Sequence, residues 1–223
     1  SLSEALKNFA DRGFSGLNVT IPHKEHVSLQ VHELSDEARV VGAVNTIRFE
    51  SGRLRGDNTD VYGIEASLEP YRTSLHGERV LLLGAGGTSR AIIYALLTRF
   101  SPAEIVIANR NRARADELVK HFQHHAKNVA LKASPADGIT VSQLAGDARL
   151  IINATSIGMS PAIEASPIGE WTNFNSSQIV FDLIYTPFAT KLLILAGRSG
   201  ARTISGLEMF LHQGARSFEL WLG

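Results

Sequence analysis

Lys24 stands in the stretch GLNVTIPHKEHV, two residues after a proline that closes a short β-branched run. Proline suits the first turn of a helix, which puts Lys24 near a helix N-terminus. That end of the dipole repels a cation, a setting that suits a lysine which hands a proton on. Glu25 beside it offsets part of the repulsion, and on local grounds Lys24 also reads as a solvated surface lysine. Asp60 closes Asp57-Asn58-Thr59-Asp60, where a second helix begins. A carboxylate within reach would orient the lysine and relay protons, although an acid in a first helical turn is favourable on dipole grounds alone. Asn18 and Thr20 alternate with Val19 and so share one face of an expected strand. Asn45 and Thr46 interrupt a second strand, and for Asn45 a strand-edge turn would suffice. Amides and hydroxyls around a Lys and an Asp suit a small polyhydroxylated molecule.

A second chemistry is written in LLLGAGGTSRA. Gly84, Ala85, Gly86, Gly87 and Thr88 follow a buried strand and open a helix. Glycines allow a tight turn and close backbone approach, and the N–H groups and dipole of the helix then face a pyrophosphate. The full G-x-G-x-x-G pattern breaks at Ser89, and a tight turn that binds nothing is the alternative. The next strand ends in Asn109-Arg110-Asn111-Arg112-Ala113-Arg114, with three arginines and no acid. A carboxylate there would accept from the ribose hydroxyls of NAD, whereas guanidinium groups suit a 2′-phosphate. The pattern favours NADP over a merely basic helix face.

These residues need elements to hold them. Helical spacing starts at Leu2, with Ser1 to Glu4 fitting a capping box, and Gly13 ends that helix. Strands are expected at Leu17–Ile21 and Ala43–Glu50, and a helix at Thr59–Leu68. Ser51–Arg55 and Pro70–Gly77 read as loops, the second as a domain boundary. Beyond it strands and helices alternate: strand from Arg79, helix Thr88–Phe100, strand Glu104–Asn109, helix Arg112–Phe122. Strands at Asn128–Lys132, Leu150–Asn153 and Ile179–Asp182 follow, then a helix Thr190–Ala196 stopped by Gly197 and a strand Arg202–Ile204. Such alternation predicts a parallel sheet with helices on both faces. The last helix, Leu207–Leu222, carries two stripes: Leu207, Leu211, Phe218 and Leu222, and Phe210, Gly214, Ser217 and Trp221.

Composition narrows the function classes. The 223 residues have zero formal net charge and no cysteine. Disulfides and thiolate chemistry are excluded, and no electrostatic footprint for nucleic acid or an anionic membrane is present. The eight histidines show no metal-ligand spacing. No apolar run has membrane-spanning length. The expectations are a cytoplasmic protein, a monomer or homodimer, with a small-molecule partner and neither nucleic acid nor membrane.

Taken in order, NVTIPHK, GAVNT, GDNTD, GAGG-xx-RA, NR-xxxR, NATSIGM and GLEMFLHQ resemble the shikimate dehydrogenase family, from about Leu6 to the C-terminus. The resemblance implies NADP-dependent interconversion of 3-dehydroshikimate and shikimate. It implies a two-domain α/β fold, with a Rossmann-like doubly wound parallel sheet for the cofactor (77–206) and a smaller substrate domain (1–70 plus 207–223). Lys24 and Asp60 would be the proton-transfer pair. Asn18, Thr20, Asn45, Tyr185 and Gln213 would bind substrate. Gly84 to Thr88 would hold pyrophosphate, Asn109, Arg110 and Arg114 the 2′-phosphate, and Thr155, Leu183 and Gly206 the nicotinamide side. No metal is implied. Asn111 replaces the threonine usual in the family's basic motif. The family's upstream strand and helix, with a Ser-x-Ser pair for the substrate carboxylate, are expected to be absent, since Ser1-Leu2-Ser3 lies too close to Asn18. Alternatives are a quinate/shikimate dehydrogenase using NAD(P) and a non-catalytic shikimate- or quinate-binding module.

Overall fold

Two sheets organise the computed structural model, which describes residues 2–223; the capping box expected at Ser1 therefore lies outside the described residues. The first sheet has four strands, β1 (Gly16–Asn18), β2 (Glu33–Leu34), β3 (Thr46–Glu50) and β4 (Arg53–Asp57), in the order β1-β3-β4-β2. Its helices are α1 (Leu2–Asp11), α2 (Lys24–Ser28), α3 (Asp36–Val41) and α4 (Thr59–Leu68). The second sheet follows a short helix α5 (Arg72–Leu75). It contains β5 (Arg79–Leu83), β6 (Glu104–Asn109), β7 (Ala130–Pro135), β8 (Leu150–Asn153), β9 (Ile179–Asp182) and β10 (Arg202–Ser205). Helices α6 (Gly87–Ala95), α7 (Arg112–Phe122), α8 (Gly138–Asp147) and α9 (Lys191–Arg198) join these strands, and α10 (Gly206–Leu222) returns to the first sheet.

All pairings in the second sheet are parallel, in the order β10-β9-β8-β5-β6-β7. This is the doubly wound topology, and its order reverses at β5, between β6 and β8. Alternate residues along each strand serve opposite faces. Val80, Leu82, Ile105, Ile107, Ile152 and Phe181 pack with Ile92 and Ile93 of α6 and with Leu118 and Phe122 of α7. Leu81, Leu83, Val106, Ile151 and Val180 pack with Val141 of α8 and Leu192 and Ala196 of α9. Strands buried on both faces have to read as continuous apolar runs, which is why RVLLL, EIVIAN, LIIN and IVFD do.

The first sheet departs from the sequence reading where pairing overrides propensity. The strand expected over Leu17–Ile21 stops at Asn18, because after Val19 bonds to the Asn45 carbonyl (2.7 Å) the chain turns, with His23 N–H on the Thr20 carbonyl. Thr20 therefore does not continue the strand face of Asn18. Lys24 begins α2, with His23 rather than Pro22 bounding it. The strand expected from Ala43 begins at Thr46. Ser51–Arg55 is not a loop: Ser51 (φ 48°) and Gly52 (φ 76°) form a two-residue hairpin turn joining β3 to β4.

Smaller shifts occur elsewhere. The helix expected over Thr88–Phe100 ends at Ala95 and continues as one wider π-turn, Leu96–Phe100. The strand placed at Asn128–Lys132 runs over Ala130–Pro135, and α9 passes through Gly197 to Arg198. Neither stripe foreseen on α10 faces inward as a whole. The inward line is Gly206, Met209, Gln213 and Ser217, while Leu211 (61% exposed), Phe218 (60%) and Leu222 (77%) face outward. Gly63 lets α4 approach α10 closely, since a Cβ there would meet the Met209 carbonyl at 2.7 Å. No helix among the described residues is long and apolar enough to cross a membrane.

Candidate active site

Lys24 and Asp60 meet. Lys24 Nζ donates to Asp60 Oδ2 at 2.6 Å, and the two side chains are 11% and 5% exposed. Low exposure strengthens such a pair, because little water screens it. Lys24 leads α2 and Asp60 sits in the first turn of α4, so the two helix starts bring these residues together. The repulsion expected for Lys24 at a helix N-terminus is offset by this carboxylate. Asp60 Oδ1 is taken by Asn45 Nδ2 at 2.8 Å, and Asn45 Oδ1 accepts the Thr59 N–H at 2.7 Å, so the amide is locked in orientation.

Behind the pair lies a buried hydroxyl cluster, of which the sequence reading noted Thr46 and Thr59 among its polar runs but did not connect Ser217 to them. Thr46, Thr59 and Ser217 hydroxyl oxygens lie 2.9–3.1 Å from one another. Asn18 Nδ2 lies in this cluster, 3.0 Å from both Thr46 and Ser217 hydroxyls and 3.2 Å from the Asn45 carbonyl, and its Oδ1 makes no hydrogen bond among the described residues. Gln213 Oε1 lies 3.4 Å from Asn45 Nδ2 and from the Thr59 hydroxyl. Thr20 is exposed and its side chain makes no hydrogen bond among the described residues. Tyr185 stacks on Phe210 of α10, ring centroids 4.7 Å apart, with no hydrogen bond to the cluster. Ser217 was visible in the sequence only as a small residue at helical spacing, because its partners are 171 and 158 residues away.

The glycine turn sits at the switch point of the second sheet. Gly84 has φ +106°, a conformation that favours glycine, and a Cβ there would press on the Ala154 carbonyl at 3.0 Å. Nothing lies within 4 Å of a Cβ built on Gly86, so the turn is open where an anion would approach. Ser89 ties the turn together, accepting the Gly86 N–H at 3.3 Å and donating to the Gly84 carbonyl at 3.0 Å. That explains a serine at the third motif position. The N–H groups of Gly87 and Thr88, in the first turn of α6, have no intrahelical partner.

At the tip of β6, Asn111 caps α7 through the Ala113 N–H (3.2 Å), and Asn109 Nδ2 donates to the Asn111 carbonyl (2.8 Å). Asn111 thus does the work of an N-cap. Arg112 is paired with Asp116 at 3.7 Å, whereas Arg110 and Arg114 are exposed and have no carboxylate partner among the described residues. Below the switch point Asn153 Nδ2 donates to Asp182 Oδ1 at 3.0 Å, and the Thr190 hydroxyl donates to Asp182 Oδ2 at 2.7 Å. Burial pushes the Asp182 carboxyl above its ordinary value, against the pull of these hydrogen bonds. Thr155 hangs from the same network through Asn153 Oδ1 at 2.7 Å. Gly206 lies so close to Leu183 that a Cβ would meet its carbonyl oxygen at 2.2 Å.

A glycine turn at a switch point takes the phosphates of a dinucleotide, and a buried lysine–aspartate pair beside it can give or take the proton that accompanies hydride transfer. The class so defined is a dinucleotide-dependent oxidoreductase. Comparison with known proteins narrows it. Three family models match in order: the shikimate dehydrogenase substrate binding domain over residues 1–47, shikimate/quinate 5-dehydrogenase over 67–183, and the shikimate 5′-dehydrogenase C-terminal domain over 206–223. A shikimate dehydrogenase (NADP(+)) of Carboxydothermus hydrogenoformans is 41% identical over 223 residues, covering 100% of this chain and 78% of that protein. The shikimate 5-dehydrogenase of Thermus thermophilus, solved with NADP(H) and shikimate, is 36% identical with a TM-score of 0.84, over 100% of this chain and 78% of that one. The quinate dehydrogenase of Corynebacterium glutamicum, solved with NAD, is 30% identical with a TM-score of 0.88, over 100% and 78%. The chain belongs to the shikimate dehydrogenase family.

Proposed function

We propose that this chain interconverts 3-dehydroshikimate and shikimate with NADP, using Lys24 and Asp60 as its proton-transfer pair. The observation that carries the reading is the buried 2.6 Å contact between them, set beside the glycine turn. NADPH, when bound, supplies hydride to the ring ketone. Lys24 gives the proton to the ketone oxygen and stabilises the charge that develops there. Asp60 holds the ammonium in place, and Asn45 holds Asp60. In the oxidative direction Lys24 takes the hydroxyl proton.

Asn18, Thr20, Asn45, Tyr185 and Gln213 are read as substrate contacts. Gly84, Ala85, Gly86, Gly87 and Thr88 are read as the pyrophosphate cradle, Asn109, Arg110 and Arg114 as the 2′-phosphate site, and Thr155, Leu183 and Gly206 as the nicotinamide wall. The open face of Gly86, and Arg110 and Arg114 without a carboxylate partner among the described residues, fit those parts of the cofactor. Residues 1–70 with 207–223 form the substrate domain in this reading, and 77–206 the cofactor domain. Cytoplasmic residence and a monomeric or homodimeric state complete it. Similarity to the quinate dehydrogenase favours a second reading in which quinate and NAD are also used.

Shikimate oxidation followed at 340 nm with NADP and with NAD tests the proposal. NADP is the better cofactor, and Lys24→Ala lowers kcat by roughly 10²–10⁴ while shikimate KM moves little. A Lys24→Ala enzyme of near-parental kcat would end the assignment.

A further inference from the structure

A charged lysine has three N–H donors. Asp60 Oδ2 takes one from Lys24 at 2.6 Å, and Thr88 Oγ1 takes another at 3.2 Å. The second bond joins the start of α2, among the helices of the first sheet, to the first turn of α6, among those of the second. The lysine stem is held on the same side, since a Cβ on Gly87 would lie only 3.3 Å from Lys24 Cβ. The Thr88 hydroxyl has no structural work in the turn. Gly86 is the N-cap of α6, and Ser89 makes the bonds that tie Gly84 and Gly86 together. Among the described residues, the contact of the Thr88 hydroxyl is with Lys24.

We propose that Thr88 is the positioning residue for Lys24: Thr88 and Asp60 each hold one ammonium proton, and the third is thereby aimed at the substrate oxygen. The inference rests on the reading of Lys24 as proton donor. A hydroxyl that accepts from Lys24 keeps its own proton to donate, and the open face of Gly86 lies one residue beyond Gly87. Thr88 is thus placed to make the lysine's geometry answer to an anion seated on the turn.

Thr88→Val keeps the shape and removes the hydroxyl; Thr88→Ser restores it. In shikimate oxidation with NADP, Thr88→Val lowers kcat on the order of 10-fold, the worth of one such bond, with shikimate KM within about twofold. Thr88→Ser recovers most of the loss. On a Lys24→Ala background, with NADP saturating for each variant so that any change in the cradle falls on its KM, Thr88→Val lowers kcat far less than it does in the parent, because the two act as one unit. An equal loss on that background, or a Thr88→Ser enzyme as slow as Thr88→Val, overturns the proposal. A readout without turnover is acylation of Lys24 by an amine-reactive ester in the cofactor-free chain, followed by peptide mass spectrometry. Labelling is several-fold faster in Thr88→Val than in the parent or in Thr88→Ser, and equal rates overturn the proposal. A chain that oxidised no shikimate yet showed faster labelling in Thr88→Val would sink the proposed function and support the hold on Lys24.

Discussion

Arg110 and Arg114 differ from Arg112 in what they touch, and the difference is a test of cofactor choice. Arg112 is engaged with Asp116 one turn along α7, while the other two guanidiniums face solvent beside the end of β6 with no carboxylate partner among the described residues. An exposed arginine gains little until a phosphate arrives, and a charge-assisted bond to one is worth about 1.5–3 kcal/mol. Arg110→Ala with Arg114→Ala therefore raises the KM for NADP at least tenfold and leaves that for NAD within about twofold. Arg112→Ala serves as the control and changes neither ratio. Equal losses with both cofactors in the double variant would refute a 2′-phosphate site there. The reading from sequence already singled out 110 and 114. It began the helix at Arg112 without naming Asn111, an amide of the kind that caps helices, as its cap, and the cap is seen where its side-chain oxygen meets the Ala113 N–H.

At the scale of elements, legibility tracked burial. Glu104–Asn109, Arg112–Phe122, Leu150–Asn153, Ile179–Asp182 and Thr59–Leu68 form where their apolar periodicity puts them, because both faces of that sheet and one face of those helices are sealed. The Arg53–Asp57 strand was hidden by its sequence, RLRGD, with one apolar side chain; pairing with β3 and a turn of positive φ make it a strand. The hydroxyl cluster was hidden differently. Thr46, Thr59 and Ser217 look unremarkable singly and become one site only when α10 lies against α4. The network at the ends of β8 and β9 yields a pH prediction. Asp182 is fully buried, and desolvation raises its carboxyl above the ordinary 3.8 despite bonds from Thr190, Ile184 and Asn153. A proton is thus held more tightly in the folded chain than in the unfolded one. As pH rises past 3.8 the unfolded chain ionises first, and Asp182 subtracts from stability until the folded carboxyl has also ionised. Asp182→Asn lacks that loss. Its Tm relative to the parent accordingly climbs from pH 3.5 upward and then levels. Parallel Tm curves across pH 3.5–7.5 would contradict the burial argument.

The whole molecule has two sheets and, between them, a shared core cluster beside one cluster within each half. Val41, Ala43, Val61, Ile64 and Leu68 from the first unit belong to the same buried cluster as Val80, Ile92, Ile93 and Leu96 from the second. The Lys24–Thr88 bond and the Arg90–Glu25 pair (3.6 Å) also join the two units. Each half also keeps a smaller cluster of its own, Leu6, Val27, Ala38 and Ile47 in the first and Leu81, Val106, Ile151 and Val180 in the second; the shared cluster is the largest of the three, so the halves are expected to unfold together although the sequence reading placed a boundary at Pro70–Gly77. The chain carries a reporter in each half. Its two tryptophans are Trp171, in the loop before β9, and Trp221, near the end of α10, where Nε1 bonds to the Ile47 carbonyl at 3.1 Å. Trp171→Phe leaves fluorescence from the first unit alone, and Trp221→Phe from the second alone. Urea transitions of these two single-tryptophan chains superimpose. Ile64→Ala, which opens a cavity at the junction, costs about 2–5 kcal/mol and moves both transitions by the same amount. A shift confined to the Trp221 reporter would mean that the first unit melts on its own, and that the Lys24–Thr88 contact joins two bodies free to part rather than two faces of one core.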